Sequence, residues 1–234
     1  MDTQECRWQI TAANAVAVLA HHGLYSRSSM ITLVHAPRSR SSGFLWLLEE
    51  VGEPYQVQYV SIRRGDGSGS LDPANPHPHG KVPVLLDGTT VVFEQSAIAL
   101  YLADKYPGAN LGPRIEDPAR GDFLTFLAYY CGVVEPAFTS KFLRVAVPRG
   151  TAGWVDSAEV MDFINARLGR HSYLAGEQFT AADVLYASAF SLFMDSPLLE
   201  GKRTPQLRDY VARCVSRPAR ARAAAKDQPS NSRQ

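Results

Sequence analysis

Three serines, Ser39, Ser41 and Ser42, follow a short apolar segment and come immediately before a predicted helix. Hydroxyl groups and free backbone N–H groups at a helix N-terminus stabilise an anion, including a thiolate. The same residue types also serve as ordinary helix caps where no ligand is bound. This segment therefore indicates either a cap or an anion site.

A second candidate is the pair Val82-Pro83, which follows a glycine-rich loop and enters a predicted strand. Proline in a sheet is confined to edges, strand starts and bulges. A cis peptide bond would turn the N–H and C=O of Val82 outward, where they can pair with another extended chain. An ordinary trans proline at a strand start is the alternative.

A third candidate is Glu94-Gln95-Ser96, which lies where a predicted strand meets a predicted helix. Ser96 can cap this helix, whose N-terminus offers free N–H groups to a ligand carboxylate. Glu94 can pair with a ligand ammonium group. Capping without a ligand is again the alternative.

Metal and disulfide chemistry have little support in the sequence. His77 and His79 straddle Pro78, but no acidic or thiol partner stands at metal-ligand spacing, so we expect no metal site. The three cysteines, Cys6, Cys131 and Cys214, are far apart and form no CxxC pair. Such sparse cysteines are typical of a reducing, cytoplasmic compartment.

Composition excludes several classes of protein. The chain has 234 residues, 45% of them apolar, and a formal charge of +1. This length suffices for one or two domains with their own cores. The near-neutral charge gives no general attraction to nucleic acid or membrane, and no apolar run approaches the roughly 18 residues of a membrane span. We expect neither kind of partner.

The first half of the chain predicts a mixed α/β domain. Residues 1–29 end in a polar run and are predicted to be an N-terminal extension, with an extra helix over 14–21 as the alternative. Residues 30–107 follow the order strand, helix, strand, long loop, hairpin, helix. A helix between the first two strands makes them parallel, and the hairpin is antiparallel. The loop 61–80 is long enough that we expect a short helix within it.

The second half predicts only helices. Residues 108–117 are rich in Pro, Gly and Asn and predict a linker, and residues 118–225 predict an all-helical domain. Predicted helix starts lie at Asp117-Pro118, near Trp154, at Thr180 and at Thr204-Pro205. Thr180 and Asp183 have the spacing of a capping box, and Pro136 should bend or break the first helix. Residues 226–234 predict a disordered tail.

Four segments, each common in isolation, occur in an order and spacing specific to one family. They are Ser39-Arg40-Ser41 with 45–50, Asn75-Pro76 with 80–85, 94–103, and 179–183. Over residues 30 to 218 the chain resembles a cytosolic glutathione S-transferase. The resemblance implies a thioredoxin-like N-terminal domain that binds glutathione, an all-helical C-terminal domain that lines an electrophile pocket, and a homodimer.

The resemblance also implies roles for particular residues. Val82 would pair its backbone with the cysteinyl group of glutathione, ahead of a cis Pro83. Glu94 would lie at the γ-glutamyl end, and Lys81 would reach the glycyl carboxylate. Thr180 and Asp183 match the capping box of the family, which serves folding rather than chemistry.

Two departures from the family pattern leave alternatives open. The family has an acidic residue or Gln followed directly by Ser before this helix, and the spacing puts Gln95 rather than Ser96 in the Ser position. Either residue then holds the γ-glutamyl carboxylate. No Tyr or Cys lies between Met30 and Leu48, so Ser39 is the best match for the thiol-activating residue, with Arg40 and Ser41 as rivals.

The function implied by the resemblance is conjugation of the glutathione thiolate to a small hydrophobic electrophile, as in detoxification. Pocket candidates on the first helix of the second domain are Tyr129, Tyr130, Phe138 and Phe142. A glutathione-dependent peroxidase or disulfide reductase is one alternative. A non-catalytic member of the fold that binds glutathione or a protein is the other.

Overall fold

The computed structural model describes residues 30–228, so the expectations for 1–29 and for 229–234 concern residues outside this part. Four strands form one sheet in the spatial order β2-β1-β3-β4. They are β1 (Ile31–His35), β2 (Tyr55–Tyr59), β3 (Val84–Asp87) and β4 (Thr90–Phe93). β1 is parallel to β2 and antiparallel to β3, and β3 and β4 form a hairpin. The predicted mixed sheet is therefore confirmed.

Two helices accompany the sheet, α1 (Ser42–Val51) and α2 (Gln95–Lys105). α1 is buried on most sides, and the side chains of Phe44, Trp46 and Leu47 have no exposed surface. It ends at Gly52, whose φ of 80° lies in the left-handed region and whose N–H donates to the carbonyl of Leu48. The buried apolar side chains of α1 therefore pack the helix between the sheet and the rest of the molecule, and this packing holds its N-terminus in place.

The loop between β2 and β3 contains turns but no helix among the residues described, so the expectation of a short helix in 61–80 is wrong. Its polar side chains close local turns instead. The Asp72 carboxylate accepts from the N–H of Ser61, and the Asp66 carboxylate accepts from the N–H of Ser68. Frequent glycine and proline favour such turns over a continuous helical ladder.

The rest of the described chain is helical, which confirms the predicted architecture. The helices are α3 (Arg120–Tyr129), α4 (Glu135–Leu143), α5 (Ser157–Leu168), α6 (Ala181–Phe193), α7 (Pro205–Val215) and α8 (Pro218–Lys226). α7 begins where predicted, and the Thr204 hydroxyl oxygen accepts from the N–H of Leu207. α3 begins at Arg120, because Asp117 and Pro118 form a turn ahead of it. Within residues 30–228, no helix combines the length and hydropathy that a bilayer crossing requires.

The chain stays helical through Pro136, where a bend or break was expected, but its hydrogen-bonding pattern changes just before this residue. Tyr130–Val134 form a π-helical segment between α3 and α4, and Pro136 takes a first-turn position in α4. Proline is tolerated there because the first N–H groups of a helix have no intrahelical acceptor. The wider π turn shifts the direction of the side chains around Tyr130.

The capping box at α6 is confirmed and is part of a larger buried network. The side chain of Asp183 is fully buried, and one of its oxygens accepts from the N–H and the hydroxyl of Thr180. The other oxygen accepts from the N–H of Leu174 and the hydroxyl of Tyr210. This single carboxylate therefore joins the start of α6 to the preceding loop and to α7.

The helix α8 was not predicted. It extends to Lys226, the first residue of the expected tail, and residues 229–234 of that tail lie outside the described part of the chain. Its sequence, rich in Arg and Ala, has the composition of a solvated surface. In the structure its cations pair with acidic residues of α1: Arg222 and Lys226 contact Glu49 at 2.8 and 2.6 Å, and Arg217, just before α8, contacts Glu50 at 2.7 Å. These ion pairs hold the end of the chain against the first domain.

We expect Glu49→Gln to lower the free energy of unfolding by about 1–3 kcal/mol at pH 7, because it weakens a charge-assisted network at a mostly buried site. Burial alone raises the pKa of Glu49, but hydrogen bonds from Lys226, Tyr55 and Arg222 outweigh it and hold that pKa at about 2, against an ordinary 4.5. A folded-state pKa below the unfolded one contributes stability at higher pH that is lost as the pH falls through this window.

Urea unfolding between pH 7 and pH 2 measures this effect, with the exposed Glu53→Gln as the matched control. The difference between wild type and Glu49→Gln should shrink as the pH falls from about 4.5 towards 2. A difference that stays constant across this range would mean that the ion pairs of Glu49 do not contribute.

Candidate active site

Ser39 lies half-buried in the turn between β1 and α1. Its hydroxyl donates to the carbonyl of Ala36 at 2.7 Å, and its oxygen accepts from the N–H of Ser41 at 3.2 Å. The side chain lines a cavity that opens beside α1 between the two halves of the molecule, the interdomain cavity. Since a hydroxyl proton rotates freely about the C–O bond, Ser39 can turn its proton from Ala36 towards an anion in this cavity.

Ser41 is fully buried behind Ser39. Its hydroxyl oxygen lies 2.8 Å from that of Ser39 and 2.8 Å from Nδ1 of His35, and it also accepts from the N–H of Ala36 at 3.2 Å. Because it has no exposed surface, its side chain does not face the cavity. The expected contact of Ser41 with the ligand therefore stays a prediction.

Asp227, which the sequence placed in a disordered tail, lies at the same turn. One of its carboxylate oxygens accepts from the N–H of Arg38 at 3.0 Å and from the hydroxyl of Ser42 at 2.9 Å. The same oxygen lies 3.2 Å from Nε2 of His35. Asp227 is far from α1 in sequence, and the ion pairs between α8 and α1 hold it close to the N-terminus of α1.

The second candidate segment is at the start of β3. The Val82-Pro83 peptide bond is cis, as the family resemblance implied. Lys81 is exposed, and its carbonyl accepts from the side chain of Asn75 at 3.1 Å. Lys81 lines a second cavity of about 630 Å³, together with Arg63 and residues of the loop 71–80.

The third candidate segment is at the start of α2. Glu94 is exposed and has a φ of 70°, a left-handed value that is strained for a non-glycine residue. Gln95 follows as the first residue of the helix and lines the interdomain cavity. Ser96 points elsewhere, because its hydroxyl donates to the carbonyl of Leu127 and lies 3.0 Å from Sγ of Cys131. Of the two residues left open, Gln95 therefore faces the cavity.

Arg40 reaches across the cavity mouth. Its Nε donates to Glu135 of α4 at 2.5 Å, and the Glu135 carboxylate raises the pKa of Arg40 against the opposing effect of burial. The pair joins the N-terminal turn of α1 to the helical half. With Glu135 as its partner, Arg40 forms part of the cavity wall.

The interdomain cavity has a volume of about 510 Å³ and lies between the two halves of the molecule. Ser39, Arg40 and Gln95 line its polar end. Its apolar end is lined from the helical half by Tyr130, Phe138, Phe142, Leu185, Phe190, Leu192 and Phe193. Three of the four aromatic candidates on α3 and α4 thus face the cavity. Tyr129 packs on Phe163 instead.

The cysteines in the described part of the chain lie away from this turn. Cys131, in the π-helical segment, is half-buried and Cys214, in α7, is buried, and both thiols are free. Burial raises the pKa of both, so neither is an activated nucleophile. Among residues 30–228, no group of His, Cys, Asp and Glu side chains has the arrangement of a metal site.

Comparison with known proteins places this geometry in a family. The family model for the N-terminal domain of glutathione S-transferases matches residues 37–105, and the model for their C-terminal domain matches residues 155–218. The chain belongs to the glutathione S-transferase family. Glutathione S-transferase 3 of Schizosaccharomyces pombe is 31% identical over 173 residues, which are 66% of this chain and 70% of that protein.

Solved structures of glutathione S-transferases have the same fold. The enzyme from Actinobacillus pleuropneumoniae is 27% identical, with a TM-score of 0.68 over 85% of this chain and 93% of its own. The theta class enzyme from Xanthomonas axonopodis pv. citri, solved with glutathione bound, is 26% identical, with a TM-score of 0.64 over 83% and 97% of the two chains. The fold expected from the sequence is thus the fold of this transferase family.

Sequence reasoning missed two residues at the turn of this transferase, His35 and Asp227. His35 carried a weak signal, since a histidine that ends a buried strand faces the same turn as the serines after it. Asp227 carried none, because 192 positions separate it from His35 and its neighbours in sequence are polar and basic. Only the packing of α8 on α1 brings the two together.

Proposed function

We propose that this enzyme binds glutathione and transfers its thiolate to a small hydrophobic electrophile. The observation that carries the proposal is the 510 Å³ cavity, which has Ser39 and Gln95 at one end and the aromatic residues of α4 and α6 at the other. A tripeptide thiol needs a polar, hydrogen-bonding end, and a hydrophobic electrophile needs an apolar one. The bound thiol lies where the two meet.

We assign the glutathione contacts to five residues. The amide of Gln95 and the N-terminus of α2 hold the γ-glutamyl carboxylate, and Glu94 takes the ammonium group beside it. The backbone of Val82 pairs with the cysteinyl residue as an added strand, and Lys81 reaches the glycyl carboxylate. The hydroxyl of Ser39 donates to the sulfur. Family membership supports the assignment. The sheet register supports it as well, since it brings the end of β1, the start of β3 and the end of β4 together at one end of the sheet.

The remaining candidates have supporting roles in this proposal. Ser41 orients Ser39 from behind, since it is buried and lies 2.8 Å from it. Ser96 anchors α2 on α3 through the carbonyl of Leu127. Arg40, paired with Glu135, shapes the mouth of the cavity.

The proposed activation of the thiol is within reach of these groups. A free thiol has a pKa of about 8.5, and lowering it by two units requires roughly 2.7 kcal/mol of differential stabilisation. A hydrogen bond to a charged group supplies about 1.5–3 kcal/mol, and a helix N-terminus about 0.3–1 kcal/mol. Ser39 and the N-terminus of α1 together therefore suffice to make a thiolate at neutral pH.

We also propose that the enzyme is a cytoplasmic homodimer with a role in detoxification, as the family resemblance implies. The exposed Val91 and Phe93 on the edge strand β4 support an interface there, because an apolar edge strand is usually covered. The free thiols of Cys131 and Cys214 are compatible with a reducing compartment.

Calorimetric titration with glutathione and turnover of a generic aryl halide test the proposed function together. We expect one binding site per chain and conjugation that rises with pH through a pKa below that of free glutathione. Gln95→Ala should weaken glutathione binding about tenfold, because a hydrogen bond to a charged group is worth about 1.5–3 kcal/mol. The exposed Gln178→Ala is the matched control.

The outcomes separate the alternatives. Binding without conjugation would favour a non-catalytic member of the fold. Binding with turnover of a peroxide or a mixed disulfide, and none of the aryl halide, would favour glutathione-dependent reduction. No binding would overturn the proposed function.

A further inference from the structure

His35, at the end of β1, is a fully buried titratable side chain that the proposed function does not use. Its ring is contacted on both nitrogens: Nδ1 lies 2.8 Å from the hydroxyl oxygen of Ser41, and Nε2 lies 3.2 Å from a carboxylate oxygen of Asp227. Ser41 in turn lies 2.8 Å from Ser39. Four side chains from β1, the turn before α1 and the end of α8 thus form one continuous line, and the residues at its two ends, Ser39 and Asp227, both line the cavity.

The charges around His35 determine which nitrogen carries the proton. Burial lowers the pKa of His35, and the attraction of Asp227 offsets only part of this, so the ring is neutral at rest. A carboxylate accepts hydrogen bonds and does not donate them, so the proton belongs on Nε2, the nitrogen that faces Asp227. The contact between Nε2 and Asp227 is close, but its angle departs from that of a linear hydrogen bond. Nδ1 is then a lone-pair acceptor for the hydroxyl of Ser41.

Few other ionisable groups face the ring. The phenol ring of Tyr59 on β2 packs edge-on at 5.6 Å, and its hydroxyl donates to the carbonyl of Lys226. From the loop after β2, the guanidinium of Arg64 binds the carbonyls of Pro37 and Arg38. The α1 side presents only the neutral hydroxyls of the serines. Asp227 is thus the charged group in direct contact with His35 among the residues described.

We propose that His35 takes the proton of the bound glutathione thiol, through the hydroxyls of Ser39 and Ser41, without touching glutathione itself. This inference rests on the proposed function. The S–H bond breaks and its proton goes to the oxygen of Ser39, while the proton of Ser39 moves to Ser41 and that of Ser41 to Nδ1 of His35. The products are a thiolate and an imidazolium, so the total charge does not change.

The position of Asp227 gives this transfer its physical reason. Its carboxylate accepts from the N–H of Arg38 and the hydroxyl of Ser42, at the same helix N-terminus that stabilises the thiolate. With a neutral His35, this negative charge opposes thiolate formation. A proton on His35 cancels it and leaves an imidazolium between the carboxylate and the serines. Once the thiolate has reacted, the proton returns by the same path to the leaving group or to water at Ser39.

The test counts the protons that glutathione releases when it binds to the wild-type enzyme. Ultraviolet absorbance measures the thiolate formed, and calorimetry in buffers of different ionisation enthalpy measures the protons released to solvent. S-methylglutathione, which has no thiol proton, corrects for protons from other groups. We expect a thiolate to form with almost no net release, whereas a proton lost to solvent gives about one proton per thiolate.

Two variants sharpen the test. His35→Gln should lower kcat/KM at neutral pH about tenfold, which is less than the usual 10²–10⁴-fold effect of direct general-base catalysis. This deficit should shrink above about pH 8.5, where the free thiol ionises unaided. Whatever thiolate the variant forms should now release its proton to solvent. Asp227→Asn keeps an acceptor for Arg38 and Ser42 but removes the charge. It therefore tests the same path without replacing a fully buried side chain. The exposed Asp209→Asn is its matched control.

The outcomes separate this inference from the function on which it rests. If glutathione does not bind, the proposed function fails. If a thiolate forms and wild type releases one proton for each, the transfer to His35 is overturned while conjugation stands. Unchanged proton release and an unchanged pH profile in both His35→Gln and Asp227→Asn would also overturn it.

Discussion

Ser39→Ala is expected to lower the conjugation rate at neutral pH by roughly 10- to 100-fold, because a hydrogen bond to a charged group is worth about 1.5–3 kcal/mol. The alanine removes the hydroxyl that faces the cavity and leaves the α1 N-terminus as the main stabiliser of the thiolate. The pKa of bound glutathione should then rise by about 1–2 units. The rate should therefore approach that of wild type at high pH. Steady-state kinetics across pH and the thiolate absorbance of the bound complex measure both effects.

A structural explanation for the loss at Ser39 must be separated from a chemical one. The hydroxyl also donates to the carbonyl of Ala36 and accepts from the N–H of Ser41, so the variant loses bonds within the turn. Binding of S-methylglutathione should stay within about threefold of wild type if the site keeps its shape. Ser216→Ala is the matched control, since this exposed serine also donates to a backbone carbonyl. Full activity in Ser39→Ala would exclude Ser39 as the thiol-activating residue.

Asp183→Ala is expected to destabilise the enzyme by about 3 kcal/mol or more, because each buried donor left without a partner costs about 1–3 kcal/mol. The carboxylate is fully buried and accepts four hydrogen bonds, from the N–H and hydroxyl of Thr180, the N–H of Leu174 and the hydroxyl of Tyr210. Its removal leaves these donors without an acceptor in a dry core. Denaturant or thermal unfolding measures the loss.

Two further variants test whether the loss of stability in Asp183→Ala comes from the hydrogen-bond network or from removing a carboxylate in general. Asp183→Asn keeps one acceptor oxygen, so it should fall between wild type and Asp183→Ala. Asp209→Ala removes an exposed carboxylate from α7 and should change stability by no more than about 0.5 kcal/mol. Equal stability of Asp183→Ala and wild type would contradict the role given to the network.

Local sequence predicts the two halves of the fold well, but it does not predict the loop between β2 and β3. The hairpin and the Thr180–Asp183 capping box depend on short-range signals, and both are confirmed in the structure. The loop 61–80 was predicted to contain a helix only because of its length. Its turns are closed by side chains such as Asp72 and Asp66, whose contacts have no periodic pattern in the sequence.

The candidate site divides in the same way. Residue type and position were enough to predict Ser39 and the start of α2 as candidate sites, because the free N–H groups and partial positive charge of a helix N-terminus come from the local backbone. The choice between Gln95 and Ser96 depended on which way each side chain points. That direction follows from the packing of α2 on α3, where Ser96 meets the carbonyl of Leu127.

By itself, the sequence determined the family, the order of the elements, the capping box at Thr180 and the serine-rich turn, since all of these depend on neighbours within a few residues. The positions of Asp227 beside His35 and of Ser41 behind Ser39 are seen only in the folded chain. Ser41 is buried by its contacts with Ala36 and His35. Asp227 reaches His35 because ion pairs between α8 and α1, including those of Glu49, join residues far apart in the chain. Contacts of that range leave no local pattern, so they become visible only when the chain is folded.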